Sequence, residues 1–370
     1  MIKVRRRRQE VLQPYPWLGV LAMSVLITIA SPIAANASPD RWRTEGWAET
    51  DFSKSLVDWN EIMSGGPGKD GIPSIDKPKF QKARDERRIA DQEAVIGLEI
   101  NGDARAYPIQ ILMWHEIVND TVGGVPVAVT YCPLCNAAIV FDRRTPKGTL
   151  TFGTTGKLRK SDLVMYDRQT QSWWQQFSGK AIVGALTGQK LRILPARLEA
   201  FSIFRKRHPE GRILVPNDRR FRAYGRNPYK GYDTSTAPFL FKGEFPKGIN
   251  PMARVVVIRE RESATAVTME LLREKHRITL AGVHLTWLKG QASALDHQTV
   301  AGGRDVGNVV AQIPGPDGKA KDVPFDITFA FVFHAFNPNV HIIKHCNDTG
   351  GNTRGTRPQI KIKCGQKTLR

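Results

Sequence analysis

From Ala94 to Asp167 the chain is cut into short β-branched or aromatic runs, each bounded by Gly, Asn or Asp. They are VIGLEI (95–100), VPVAVTYC (125–132), AAIVFD (137–142), LTF (150–152) and DLVMYD (162–167). Runs of this length read as strands, because β-branched side chains suit a pleated sheet and the bordering residues accept tight turns. Asn101-Gly102, between VIGLEI and ARAYPI, is the dipeptide of a two-residue type I′ hairpin. Helical spacing of apolar residues is confined to 109–118 (IQILMWHEIV) and 198–207 (LEAFSIFRKR). The expected fold is therefore α+β and predominantly β, with two related β-rich units and a few short helices.

The two units come from an internal similarity. AVIGLEINGDARAYPIQIL (94–112) and RVVVIRERESATAVTMELL (254–272) both read as strand, polar turn, strand and short helix, with Arg261-Glu262 where the first copy has Asn-Gly. VPVAVT (125–130) is then answered by VHLTWL (283–288), and IVFD (139–142) by SALD (293–296). A duplication of 94–142 and 254–296 is expected, with a cysteine loop in the first copy alone.

The ends of the chain differ from its middle. Arg5, Arg6, Arg7 and Arg8 precede an uncharged run at 17–30, which leads to Ala35-Asn36-Ala37. A basic start, a short apolar stretch and small residues at the exit make 1–37 a signal peptide, cleaved after Ala37. The expected location is periplasmic or secreted. The alternative, an anchor formed by 17–30, is short for a bilayer and is followed by Pro32. Residues 38–75, with Trp42, Trp47 and Trp59 among turn signals, form an N-terminal extension over the main domain at 76–340. Residues 341–370 carry seven Lys or Arg against one Asp and read as a solvated basic tail, despite His341, His345 and Cys346. Its Cys346 and Cys364 either pair or stay free.

This division explains the formal charge of +20. The leader and the tail carry half of it, leaving +10 on residues 38–340. Arg84, Arg87, Arg88, Arg205, Lys206, Arg207, Arg219, Arg220 and Arg222 fall in separate segments, without the aromatic pattern of an RNA-binding sheet or a helix-turn-helix. A specific nucleic-acid partner is excluded on that reading. Anionic membrane lipid or an envelope polymer is the expected electrostatic partner, by non-specific attraction.

The sharpest chemical feature is Cys132-Pro133-Leu134-Cys135. Two thiols at this spacing can share a metal, act as a thiol–disulfide oxidoreductase, or close a permanent small-loop disulfide that serves structure or interaction alone. The flanks favour metal. A redox motif begins a helix, whose dipole lowers the first thiol's pKa. Here the pair lies between two strands, with Asn136 suited to a left-handed turn, as in a metal-binding knuckle. One such loop cannot complete a zinc ribbon, so a further ligand is needed. His115, in Trp114-His115-Glu116, is the expected third ligand, since the strand to Cys132 begins shortly after it. Two thiolates and an imidazole suit copper or zinc. Asp142-Arg143 and Asp167-Arg168 read as hairpin caps rather than an anion site. No phosphate-loop or dinucleotide fingerprint is present.

WHEIVNDTVGGVPVAVTYCPLCNAAIVFDR (114–143) and LTFGTTGKLRKSDLVMYDRQTQSWWQQFSG (150–179) resemble the DUF3179 family, as do DGIPSID (70–76), GLEINGDARAYPI (97–109) and YGRNPYKGY (224–232). The resemblance spans roughly 70–340. It implies an exported bacterial or archaeal protein of no established activity, with motif positions at His115, Cys132, Cys135, Asp162, Asp167 and Arg168. Two departures stand out. The family's glycine after the second cysteine is Asn136 here, and its Phe-His-Pro near the C-terminus is Phe336-Asn337-Pro338.

Overall fold

Asn101 and Gly102 both adopt positive φ, 51° and 80°, and join the antiparallel strands Ala94–Ile100 and Asp103–Pro108. The computed structural model describes residues 38–259, 263–350 and 360–365. The expected signal peptide and the turn at Arg261-Glu262 lie outside the described residues. No helix among the described residues is long and apolar enough to cross a membrane.

The hairpin sits in a sheet ordered Arg197–Ala200, Ala94–Ile100, Asp103–Pro108, Arg212–Val215 and Lys79–Lys82. The helix Ile109–His115 follows it, then a second sheet ordered Arg192–Leu194, Ala137–Asp142, Val125–Cys132 and Ile117–Val122. The C-terminal half repeats this order of elements. Phe325–Phe329, Arg254–Arg259, Ala264–Thr268 and Ile342–Ile343 make one sheet. Ala320–Asp322, Asn308–Pro314, Val283–Leu288, Arg277–Leu280 and Lys363–Cys364 make the other. Tyr107, Leu112 and Val129 share one apolar cluster with Val256, Leu272 and Leu285, so both halves bury their faces in a common core.

Several boundaries differ from expectation. The helix at 109–118 stops at His115, because Glu116 takes φ 57° and cannot continue it. The helix at 198–207 begins at Phe201, since Arg197–Ala200 pairs with Ala94–Ile100 as a strand. SALD (293–296) is no strand: Ser293 hydrogen-bonds Asp233 and Asp296 holds Arg304, so these side chains serve a loop. The strand beside Val283–Leu288 is Asn308–Pro314, and residues 289–307 stand where the first half has its cysteine turn.

A fifth sheet belongs to the first half alone. It is ordered Ile62–Ser64, Phe152–Arg159, Asp162–Asp167, Trp173–Gln175 and Lys180–Val183. The N-terminal segment covers it: Trp42, Trp47 and Phe52 pack on Trp173 with ring centroids 5.0, 5.1 and 5.4 Å away.

Of the expected tail at 341–370, residues 351–359 and 366–370 lie outside the described residues, and the described part is not a solvated appendage. Ile342–Ile343 is buried and pairs in parallel with Ala264–Thr268, and Lys363–Cys364 pairs with Arg277–Leu280. A Cys346–Cys364 disulfide ties these returns together. Ile342, Ile343 and Ile362 supply the apolar surface that keeps the basic segment in place.

Candidate metal centre

The strand Val125–Cys132 ends at the first cysteine, and Pro133–Cys135 makes a single 3-10 turn. Asn136 takes φ 50° and ψ 34°, and the strand Ala137–Asp142 follows. Proline starts the turn where its missing N–H is harmless, and asparagine tolerates the left-handed residue that ends it. Neighbouring elements pin the loop. Thr328 Oγ1 donates to the Cys135 carbonyl at 2.7 Å, and the Tyr232 hydroxyl to the Leu134 carbonyl at 2.9 Å.

Facing the loop is the hairpin of Phe152–Arg159 and Asp162–Asp167. Its two turn residues, Lys160 and Ser161, have φ of 56° and 64°. Neither is glycine, and each left-handed residue costs about 1–2 kcal/mol. Two bonds hold the turn: Lys160 Nζ to the Ala335 carbonyl at 2.9 Å and Ser161 Oγ to the Phe239 carbonyl at 2.7 Å. The turn aims the Ser161 carbonyl at Cys135 Sγ, 3.4 Å away, and sets Asp162 Oδ1 at 3.3 Å from the same sulfur. Ligand atoms of Cys132, Cys135 and Asp162 lie within 4.8 Å of one another, and all three residues are buried. Asp162 Oδ2 accepts from Gln175 Nε2 at 2.6 Å and from the Phe177 backbone N–H at 2.8 Å. The carboxylate is thereby oriented with Oδ1 toward the thiols.

This cluster is acidic and buried. Burial pushes the Asp162 carboxyl up to about 6. Burial, and secondarily the Asp162 charge, pushes Glu116 up to about 8. Burial also raises Cys132, and lifts Cys135 well above the ordinary thiol range. Among the described residues, no Lys or Arg forms an ion pair with Asp162 or Glu116.

Cys132 and Glu116 open onto a cleft of about 680 Å³, walled by Leu134, Leu163, Tyr229, Tyr232 and Phe239. Glu116 is only 8% exposed. Its carboxyl has no hydrogen-bond partner among the described residues. Cys135 and Asp162 lie behind this wall. Thus two thiols and an oriented carboxyl meet on one side, and an unpartnered carboxyl faces the same cleft. Such a donor set can hold a cation and leave a coordination position toward the cleft.

His115 is not part of the set. Its Nδ1 lies 2.7 Å from the Pro73 carbonyl, which can only accept, so Nδ1 carries the proton. Nε2 then accepts from the Tyr224 hydroxyl at 2.7 Å. Burial lowers the His115 pKa, which favours the neutral ring. Both nitrogens are committed, so the expected imidazole ligand does not reach the cysteines, and the side chain that lies against the thiols is the Asp162 carboxylate. His115 instead joins DGIPSID to YGRNPYKGY through Pro73 and Tyr224.

The remaining motif residues are architectural. Asp167 accepts from the Thr170 N–H at 2.7 Å and the Trp174 indole at 2.8 Å. Arg168 reaches Asp76 at 3.1 Å and Ser74 Oγ at 2.8 Å. Asp142 pairs with Arg144 and Arg192, while Arg143 donates to the carbonyls of Val127, Leu150 and Asp120. Reasoning from sequence missed Glu116 in the cleft and the approach of Asp162 to the thiols. The available signal was DLVMYD itself, which puts a carboxyl at the start of a strand straight after a Lys-Ser turn.

No curated protein and no solved structure matches the chain at a significant level. The sequence pattern of the family described as "Protein of unknown function (DUF3179)" matches residues 69–340. That span holds the knuckle, the Asp162 hairpin, the cleft wall from Tyr229 to Phe239 and all but two edge strands of the four sheets of the two halves, and the chain belongs to the DUF3179 family.

Proposed function

We propose that this is an exported protein that binds a borderline transition metal, zinc first and copper second, through Cys132, Cys135 and Asp162. The observation that carries the reading is the convergence of three buried ligand atoms within 4.8 Å, two from the knuckle and one from the facing hairpin. Two thiolates with one carboxylate form a mixed soft and hard donor set, which suits zinc better than copper(I). The buried acids point the same way. A divalent ion would replace the protons that burial otherwise forces onto them. The fourth position would face the cleft beside Glu116, where an exogenous ligand could bind.

The test is elemental analysis of protein purified from its native compartment, followed by zinc titration of the reduced protein against a chromophoric chelator. One zinc or copper per chain is expected, with loss of that metal in Cys132→Ser and weaker retention in Asp162→Asn. Reduced protein that takes up neither metal overturns the reading.

One observation favours the thiol–disulfide alternative: Cys132 lines the cleft and Cys135 does not. An attacking thiol in front of a resolving one would have this asymmetry. Burial opposes it by holding both thiols in the protonated, weakly nucleophilic form. A redox pair predicts a Cys132–Cys135 disulfide that exchanges with glutathione in metal-free protein.

A further inference from the structure

Four arginines drawn from two distant stretches of sequence meet around one cavity. Arg88, Arg219, Arg222 and Arg226 line a cavity of about 620 Å³. Elsewhere the arginines are commonly held by carboxylates, as Arg105 is by Asp103 and Asp120, and Arg197 by Asp322. Among the described residues, none of these four forms an ion pair. Arg88, Arg219 and Arg226 are exposed and Arg222 half-buried, with its guanidinium 4.3 Å from the centre of the Phe221 ring.

Two glutamates also line the cavity, and both accept hydrogen bonds from neighbouring groups. Glu86 accepts from Gln81 at 2.9 Å and from the Arg88 backbone N–H at 2.6 Å. Glu93 accepts from the Ala90 N–H at 2.9 Å and from Gln110 at 2.8 Å, and burial pushes its carboxyl up toward the neutral form. The mouth is therefore cationic, with guanidinium donors left unused. Four guanidinium groups with no ion-pair partner outnumber the one hydrogen-bonded carboxylate of Glu86, an excess of like charge that an anion would relieve, and guanidinium forks match phosphoryl oxygens two at a time.

We propose that this cavity is a binding site for a phosphate-bearing ligand, held by Arg88, Arg219, Arg222 and Arg226. The shared chemistry is the phosphoryl group, whether on a soluble phosphate or on a phospholipid headgroup. The site is independent of the metal centre.

Calorimetric titration with inorganic pyrophosphate and co-sedimentation with phosphatidylglycerol vesicles test it on the full chain. The proposal expects saturable binding in at least one arm. Arg219→Ala/Arg222→Ala should weaken it at least about tenfold, the size of one or two lost charge-assisted bonds. Arg220→Ala is the control: Arg220 is 93% exposed, pairs with Asp218 and lies outside the cavity lining. It should stay within roughly twofold, as expected for a neighbouring exposed charge. Pyrophosphate binding without vesicle binding assigns a soluble phosphate. Vesicle binding that pyrophosphate displaces assigns the headgroup. No saturable binding in either arm, or equal losses in the double variant and in Arg220→Ala, overturns the proposal.

Discussion

Asp162 presents Oδ1 to Cys135 Sγ at 3.3 Å while Gln175 and the Phe177 amide fix its other oxygen. A buried carboxyl held this way serves a cation well and serves stability poorly without one.

Asp162→Asn keeps the shape and removes the charge. Zinc affinity should fall by roughly 10- to 100-fold, while the metal-free protein becomes more resistant to urea at neutral pH. Chelator competition and urea melts on the same preparation check both signs. An unchanged zinc affinity would remove Asp162 from the ligand set.

Both buried carboxyls have folded pKa values above their unfolded ones, about 6 for Asp162 and about 8 for Glu116. Their favourable contribution is complete below the unfolded values and is lost as pH rises through the folded ones. Stability of the metal-free protein should therefore fall from pH 5 to 8, by up to ~1.4 kcal/mol per pH unit for each proton released. With saturating zinc the slope should flatten or reverse, because the metal takes the protons' place. Urea melts across this range, with and without zinc, measure it.

Trp173 is fully buried beneath Trp42, Trp47 and Phe52. Trp173→Ala should cost about 3–5 kcal/mol and loosen the N-terminal segment first. Hydrogen exchange should show faster amides over 38–64 than in the repeated sheets.

Cys346 and Cys364 are bonded across 18 residues, while Cys132 and Cys135 are free. Denatured, metal-stripped and unreduced protein should thus titrate two thiols per chain. Replacing both Cys346 and Cys364 with serine should cost about 3 kcal/mol, the loop-closure entropy of a link this long. Zinc uptake should be unaffected, which separates this bond from the candidate centre.

Asn136 holds a left-handed conformation and also donates through Nδ2 to the Ile327 carbonyl at 3.3 Å. Asn136→Gly should be nearly neutral to within about 1 kcal/mol, since glycine gains at the backbone what is lost at the side chain. Asn136→Val should cost more than about 2 kcal/mol, because a β-branched residue resists positive φ. Thermal melts of the two variants rank them.

Local rules made much of this protein legible from its residues. The strand, C-P-L-C turn and strand follow from hydrophobic patterning and turn chemistry within one short stretch, as does the Asn101-Gly102 hairpin. The repeated sheet order was visible only for its first elements. Beyond them, Asn308–Pro314 is separated from its neighbour by a long loop, and SALD imitated a strand. Site partners were the harder part. The chain's return from His115 toward Cys132 suggests a ligand there, but His115 bonds Pro73 and Tyr224, and Glu116, with positive φ, lines the cleft. Asp162 reaches Cys135 only through a hairpin packed from another sheet.

By itself, the sequence determined the β-rich class, the knuckle and the thiols, because these depend on neighbours a few residues apart. Tertiary structure alone decided that a carboxylate lies against the thiol pair, that scattered arginines share a cavity, and that Ile342–Ile343 and Lys363–Cys364 return to the sheets. Each of those joins groups far apart in the chain, and burial of apolar surface, rather than local preference, brings such groups together.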